Sequence, residues 1–294
     1  MNQNPNNSIM VVGGANIDIL AHQHVSGEPD SHPGEISLSA GGVGRNIAEN
    51  LARLGQPVCF ITCFGDDEFA GQLRQSLAVP QVDLGYAQTL AGHRSDSYLC
   101  VHDTNGEMVT AVNHMPLIDR ITAEMLTPYR QRLRAARLII ADCNLPAETL
   151  SWLAGLDVPM AVDAVSSAKA DRLSPLVSKI NIIKCTYAEA AKITGRTDNP
   201  DMLARALCTE HTDIVLMSMG AEPMLLATPS EVMRFTPPPT EIISVTGAGD
   251  ALFASFIHHH LSGKSITFCA EAGLRAAAIT MGCRQAVHPE IASL

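Results

Sequence analysis

The stretch Ser244-Val245-Thr246-Gly247-Ala248-Gly249-Asp250 carries the residue types with the most chemical potential in this chain. A β-branched run leads into three small residues, then a carboxylate, then an apolar segment, 251–261, that reads as a helix. Gly247 and Gly249 permit backbone conformations and close approaches that side chains forbid, so successive N–H groups across Gly247, Ala248 and Gly249 can converge on an anion at the positive end of that helix. Asp250 stands beside the cradle. A carboxylate there can take the proton of an attacking hydroxyl, which is what phosphoryl transfer to an alcohol requires. The same residues read equally well as a glycine turn with an Asp capping a helix.

Two earlier motifs suit polar ligands. In Gly41-Gly42-Val43-Gly44-Arg45-Asn46 the glycines let a ligand approach the backbone, Gly42 among them, while Asn46 offers an amide to a hydroxyl; a plain glycine turn before a helix is the alternative. In Gly13-Gly14-Ala15-Asn16-Ile17-Asp18 the first strand ends where open α/β sheets bind ligands. Asp18 can grip two vicinal hydroxyls there, or cap a turn. His258-His259-His260 invites a metal reading, but consecutive helical positions point about 100° apart and cannot share one ion.

The elements that must position these groups follow a regular rhythm. Short β-branched runs at 10–12, 58–62, 138–141, 160–163, 180–183 and 214–217 alternate with amphipathic segments, which predicts an α/β fold with a mostly parallel sheet covered by helices on both faces. Residues 19–39 and 84–112 break the rhythm with alternating, turn-punctuated patterns, so the chain is expected to form one domain over 1–294 with a discontinuous β lid. Alanines crowd the predicted last helix, Ile266–Met281.

Composition narrows the partners. A hydrophobic share of 46% against 17% charged is that of a folded domain with a sizeable core. The formal net charge of −10, without an offsetting basic stripe, argues against nucleic acid or an anionic membrane. No apolar run approaches the roughly 18 residues of a membrane span, the start is polar, and the eight cysteines form no Cys-x-x-Cys pair. The expectation is a cytoplasmic protein with reduced core cysteines.

Asn16-x-Asp18, then Gly41-Gly42-x-Gly44-x-Asn46, then Thr246-Gly247-Ala248-Gly249-Asp250 together resemble the ribokinase-like (PfkB) family of sugar and nucleoside kinases, over roughly residues 10–282. Within that family Arg45, Ser97-Tyr98-Leu99 and segments 105–108, 141–144, 163–166 and 218–220 resemble the branch that acts on pseudouridine. The resemblance implies a three-layer α/β/α fold with a small β-sheet lid, and ATP-dependent phosphorylation of the 5′-hydroxyl of pseudouridine. Ribose, another nucleoside such as inosine or adenosine, or a non-catalytic nucleoside-binding role are the alternatives. It implies Asp250 as base and Gly247, Ala248 and Gly249 as anion hole. Asp18, Gly42 and Asn46 would hold the ribose, with Asn16 and Asn144 beside them, and Ser97, Tyr98 or Asn113 would read the base. Thr186, Ser218 and Gly220 would lie along ATP, Ala272–Leu274 near the adenine, and Glu189 would organise Mg²⁺. Lys184 reads as a surface lysine at a strand end. Thr186 stands where the family has Asn, Pro223 where its nucleotide loop has a second glycine, and Ser244 where it has an Asp, which speaks against a monovalent-cation requirement. A small-molecule nucleoside or sugar is the expected partner, with a homodimer through the lid.

Overall fold

The computed structural model describes residues 8–25 and 31–293. A nine-stranded sheet runs, edge to edge, through Val232–Phe235, Glu222–Ala227, Ile214–Met219, Ile182–Thr186, Met160–Asp163, Leu138–Asp142, Ile9–Val12, Val58–Ile61 and Val82–Asp83. The seven strands from Ile214–Met219 onward are parallel, and the two at the first edge form an antiparallel hairpin. Parallel strands buried on both faces need continuous apolar runs, which Ile-Met-Val-Val at 9–12 and Val-Cys-Phe-Ile at 58–61 supply.

Side-chain alternation divides the core into two layers. Ile9 and Val11 meet Ile47, Leu51, Phe253 and Phe256 on one face, while Met10 and Val12 meet Leu150, Leu153 and Ile193 on the other. The result is an α/β/α sandwich. Helix Ala248–Leu261 lies between Val43–Arg53 and Ile266–Met281 and is therefore apolar on nearly every side. It begins three residues before the expected start, which puts Asp250 in its first turn. At its far end the three histidines diverge: His258 meets Gln56, His259 turns an edge to Phe268, and His260 stacks on Phe256.

A separate four-stranded sheet takes Gly34–Gly41, Asn16–Gln23, Asp96–His102 and Met108–His114 in that order, its middle pair parallel. Residues 26–30 of the expected lid segment 19–39 lie outside the described residues. Segment 84–95 adds no strand to this sheet, because Gln88–Thr89 pairs with Cys63–Phe64 instead. Period-2 alternation sends Asp18, Leu20 and Tyr98 to the face that looks onto the strand ends of the main sheet. The opposite face carries the cross-strand row Leu38-Ile19-Leu99-Val112. Among the described residues no helix is long and apolar enough to cross a membrane, and all eight cysteines are free.

Candidate active site

Between the carboxyl ends of the parallel strands and the four-stranded sheet lies a cavity of about 420 Å³. Asn16, Asp18, Asn46, Asn144 and Asp250 line it, with Gly42 and Gly247 at bends of its wall. Residues 234 positions apart in sequence are thus brought together. The bend at Gly42 has φ 98°, and a Cβ there would sit 2.7 Å from the Gly14 carbonyl oxygen. Only glycine closes this turn without strain.

Asn16 and Asp18 share a strand face, and the Asn16 amide donates to Asp18 Oδ1 at 2.7 Å. Room for the carboxylate comes from Gly41, whose Cβ, were there one, would stand 2.2 Å from Asp18 Oδ2. Burial pushes the Asp18 carboxyl above the usual range, against the opposing pull of the Asn16 amide and Arg45. Asn144 lies at the end of Leu138–Asp142, its amide oxygen accepting from Lys169 Nζ at 2.5 Å and its backbone N–H bound to Asp142 Oδ1 at 2.8 Å.

Asp250 sits in the first helical turn, 7% exposed, and its Oδ2 accepts the Asn46 amide at 2.8 Å. Burial foremost, then the nearby Asp163, lifts its carboxyl to about 7, while Lys184 and the Asn46 hydrogen bond act in the opposite direction. Gly247, at φ 79°, precedes the helix; the Ala248 N–H makes a long 3.4 Å bond to the Val245 carbonyl, while the N–H groups of Gly249 and Asp250 have no carbonyl one turn back among their hydrogen bonds. Those donors and the helix dipole together suit an anion.

Lys184 is not the surface lysine that its place in the sequence suggests. It is 9% exposed and its Nζ pairs with Asp163 Oδ2 at 2.9 Å. A Cβ on Gly249 would lie 2.7 Å from that same Nζ, so the ammonium presses against the first turn of helix Ala248–Leu261. Burial works against its charge, but Asp163 and Asp250 outweigh burial and hold it firmly protonated. Asp142 and Asp163, the last residues of their strands, are register partners, and Asp163 is in turn the register partner of Lys184, midway along Ile182–Thr186. Three apolar runs ending in charged residues were the sequence signal for this cluster. Buried Asp142, raised to about 6 by desolvation, completes it.

Thr186 and Glu189 form a capping box for helix Tyr187–Thr194: Thr186 N–H donates to Glu189 Oε2 at 2.7 Å, and Glu189 N–H to Thr186 Oγ1 at 3.3 Å. The hydrogen bond from Thr186 thus occupies one Glu189 oxygen, Oε2. Ser218, the register partner of Thr186, shares this edge, while Gly220 (φ 65°) makes the two-residue turn into Glu222–Ala227. Neither lines the cavity of about 420 Å³ or a second one, of about 470 Å³, between Pro238, Pro239, Glu241 and Ile243 and the helix residues Arg275 and Ile279. Ala272–Leu274 turn the other way, into the core, where Gly273 meets Leu252. On the four-stranded sheet, Tyr98 lines the main cavity and Asn113 is its register partner, whereas Ser97 alternates to the opposite face.

Residues 6–292 match the pfkB family of carbohydrate kinases. A pseudouridine kinase of Escherichia coli K12 is 30% identical over 291 residues, covering 96% of this chain and 93% of that protein. A carbohydrate kinase structure from Agrobacterium tumefaciens is 30% identical with a TM-score of 0.78, covering 96% and 92% of the two chains. Arabidopsis thaliana ribokinase, solved with ribose and ATP, superposes with a TM-score of 0.82 at 20% identity over 98% and 97%, a likeness of fold. A ribokinase-like α/β/α frame, matched along nearly its whole length, with a buried carboxylate in the first turn of a helix that lines its cavity, places the protein: the chain belongs to the pfkB family and is an ATP-dependent sugar or nucleoside kinase.

Proposed function

We propose that the chain phosphorylates the 5′-hydroxyl of pseudouridine, giving pseudouridine 5′-phosphate and ADP. The observation that carries the reading is the shared cavity: Asp250, pinned by Asn46, faces the same space as the hydroxyl-gripping pair Asn16 and Asp18. Beyond that pair the cavity continues between Leu20, Tyr98, Met115 and Ile118, walls that suit a planar base. The likeness to a pseudouridine kinase supports the choice of base.

In this mechanism Asp18 and Asn46 hold the ribose so that its 5′-hydroxyl meets the free oxygen of Asp250, which takes the proton as the oxygen attacks. The N–H groups of Gly247, Ala248 and Gly249 stabilise charge on the transferring group, and Lys184 adds a buried cation from beneath. The four-stranded sheet acts as a lid that excludes competing water. Pro238, Pro239, Ile243 and Ile279 of the second cavity would hold the adenine of ATP, and Ser218 and Thr186 at the neighbouring strand ends would lie along its phosphates. Among the described residues no cluster of three side-chain ligands stands ready for a metal, which suits an Mg²⁺ held mainly by ATP phosphates and water; Glu189, through its remaining oxygen, would be the protein group that holds it. Bound there, Mg²⁺ supplies neutralisation of the β- and γ-phosphate charge.

The test is ADP release with Mg·ATP against pseudouridine, uridine, inosine, adenosine and ribose at equal concentration. Turnover confined to pseudouridine is the expected result; turnover led by ribose or inosine would discard this substrate. The apolar row Leu38-Ile19-Leu99-Val112, with Leu38 51% and Val112 59% exposed, supports pairing of two copies through the lids, and a monomer in sedimentation at micromolar concentration would contradict that. Free cysteines throughout suit a reducing cytoplasm, where we place the protein.

A further inference from the structure

The residue that sets how Asn46 presents itself to Asp250 is Arg45, its neighbour in helix Val43–Arg53. Arg45 is 4% exposed. Its Nη1 donates to the Ala40 carbonyl at 2.9 Å and to Asn46 Oδ1 at 2.6 Å, and its Nη2 pairs with Glu49. Glu49 is held in turn by Arg53, Nη2 to Oε1 at 2.7 Å. The Asn46 amide is therefore caught between a guanidinium on its oxygen side and the Asp250 carboxylate on its nitrogen side. Turned over, it would set N–H against N–H and oxygen against carboxylate, two repulsive contacts in a buried site. Ala40 belongs to the strand Gly34–Gly41, so the same guanidinium also ties the four-stranded sheet to this amide.

We propose that Arg45 is a positioning residue: by fixing the orientation of the Asn46 amide it commits Asp250 Oδ2 to a hydrogen bond and leaves the other oxygen for the acceptor hydroxyl, and it couples this arrangement to the lid strand. The proposal rests on Asp250 acting as the base. Arg45 does not line the cavity and touches no reacting atom. Asp163, Asp142 and Lys184 act on Asp250 from the neighbouring strands and stay in place when Arg45 is changed, but the Arg45 guanidinium also acts on Asp250 through space, a charge that Arg45→Lys keeps and Arg45→Met removes. Losing the Asn46 donor removes a bond that favours the ionised form, so the carboxyl would titrate higher.

Two variants test this. Arg45→Met with Glu49→Leu replaces the buried pair by apolar volume, a change that commonly leaves folding stability intact. Arg45→Lys keeps the charge opposite Glu49 but cannot span Ala40, Asn46 and Glu49 with a planar fork. Expected for the double variant are a fall in kcat of about 10- to 100-fold, an unchanged KM for Mg·ATP, and an acid limb of the kcat–pH profile moved up by about one unit. Arg45→Lys should fall between it and the parent. A folded double variant with parental kcat and acid limb overturns the proposal, and should the double variant not fold, parental behaviour of Arg45→Lys overturns it equally. Asp250→Asn, assayed alongside, separates the two ideas: if it keeps turnover the base assignment is at fault, and if it is inactive while the Arg45 variants are parental, only the positioning role is.

Discussion

Asp250→Asn is expected to fold, to bind nucleoside and Mg·ATP with little change, and to lose about 1,000-fold in kcat, since general-base catalysis contributes roughly 10²–10⁴-fold. The amide keeps the shape and can still accept from Asn46, but it cannot take the acceptor proton. The parent's activity should rise with pH through about 7, where the carboxyl ionises, and the residual activity of the variant should lack that limb. Stability gives an independent reading with a definite sign. The buried carboxyl titrates near 7 in the folded chain and near 4 when unfolded, so the native state holds its proton more tightly. Stability from this group is full below about pH 4 and is lost as pH rises through 7. The variant, free of that loss, should melt above the parent at pH 8 and match it at pH 4. A folded variant with parental kcat would end the assignment of Asp250 as base.

Gly247→Ala should be the most damaging change at the anion hole. The residue sits at φ 79°, and an added Cβ would fall 1.9 Å from the Ala286 carbonyl oxygen. Left-handed backbone alone costs an L-residue about 1–2 kcal/mol, and the clash must in addition displace either the helix start or the 286 loop. Both hold the N–H groups in register, so kcat should fall about 100- to 1,000-fold, the scale of losing oxyanion-hole donors. Gly263→Ala is the matched control. That glycine also has positive φ, 75°, but a Cβ there meets nothing within 4 Å. It should lose stability from backbone strain and keep its activity. Equal activity in the two variants would mean that the turn at Gly247 does not shape the site.

The main sheet was legible because a parallel sheet covered on both faces demands unbroken apolar strands, and six such runs stand out in the sequence. The helix Ile266–Met281 was legible for a different reason: its alanine-rich, apolar composition runs unbroken by glycine turns or proline over sixteen residues. Motifs with glycine and a nearby polar side chain were also readable, and the fold gathers Asp18, Asn46 and Asp250 around one cavity, with Asn144, which only the family resemblance implied. What depends on neighbours distant in sequence was not readable. Lys184 looks solvent-facing in its segment, yet Gly249, sixty-five residues later, closes over it. Thr186 and Glu189 also cap their own helix, a role for which Thr-x-x-Glu is the sequence signature and which the reading from family resemblance passes over. Ser97 sits one residue out of phase with the cavity-facing positions of its strand, whereas Ala272–Leu274 lie in a helix buried on most of its sides, where composition alone does not tell core from ligand.

The most direct test of the central claim is to identify what the enzyme makes. Incubated with Mg·ATP and pseudouridine, it should release ADP in step with a nucleoside monophosphate whose ³¹P resonance couples to the two 5′-methylene protons. Phosphate on the 2′- or 3′-oxygen would place the wrong hydroxyl at Asp250. ADP formed without any nucleoside phosphate, or binding of pseudouridine without ADP, would contradict the account outright.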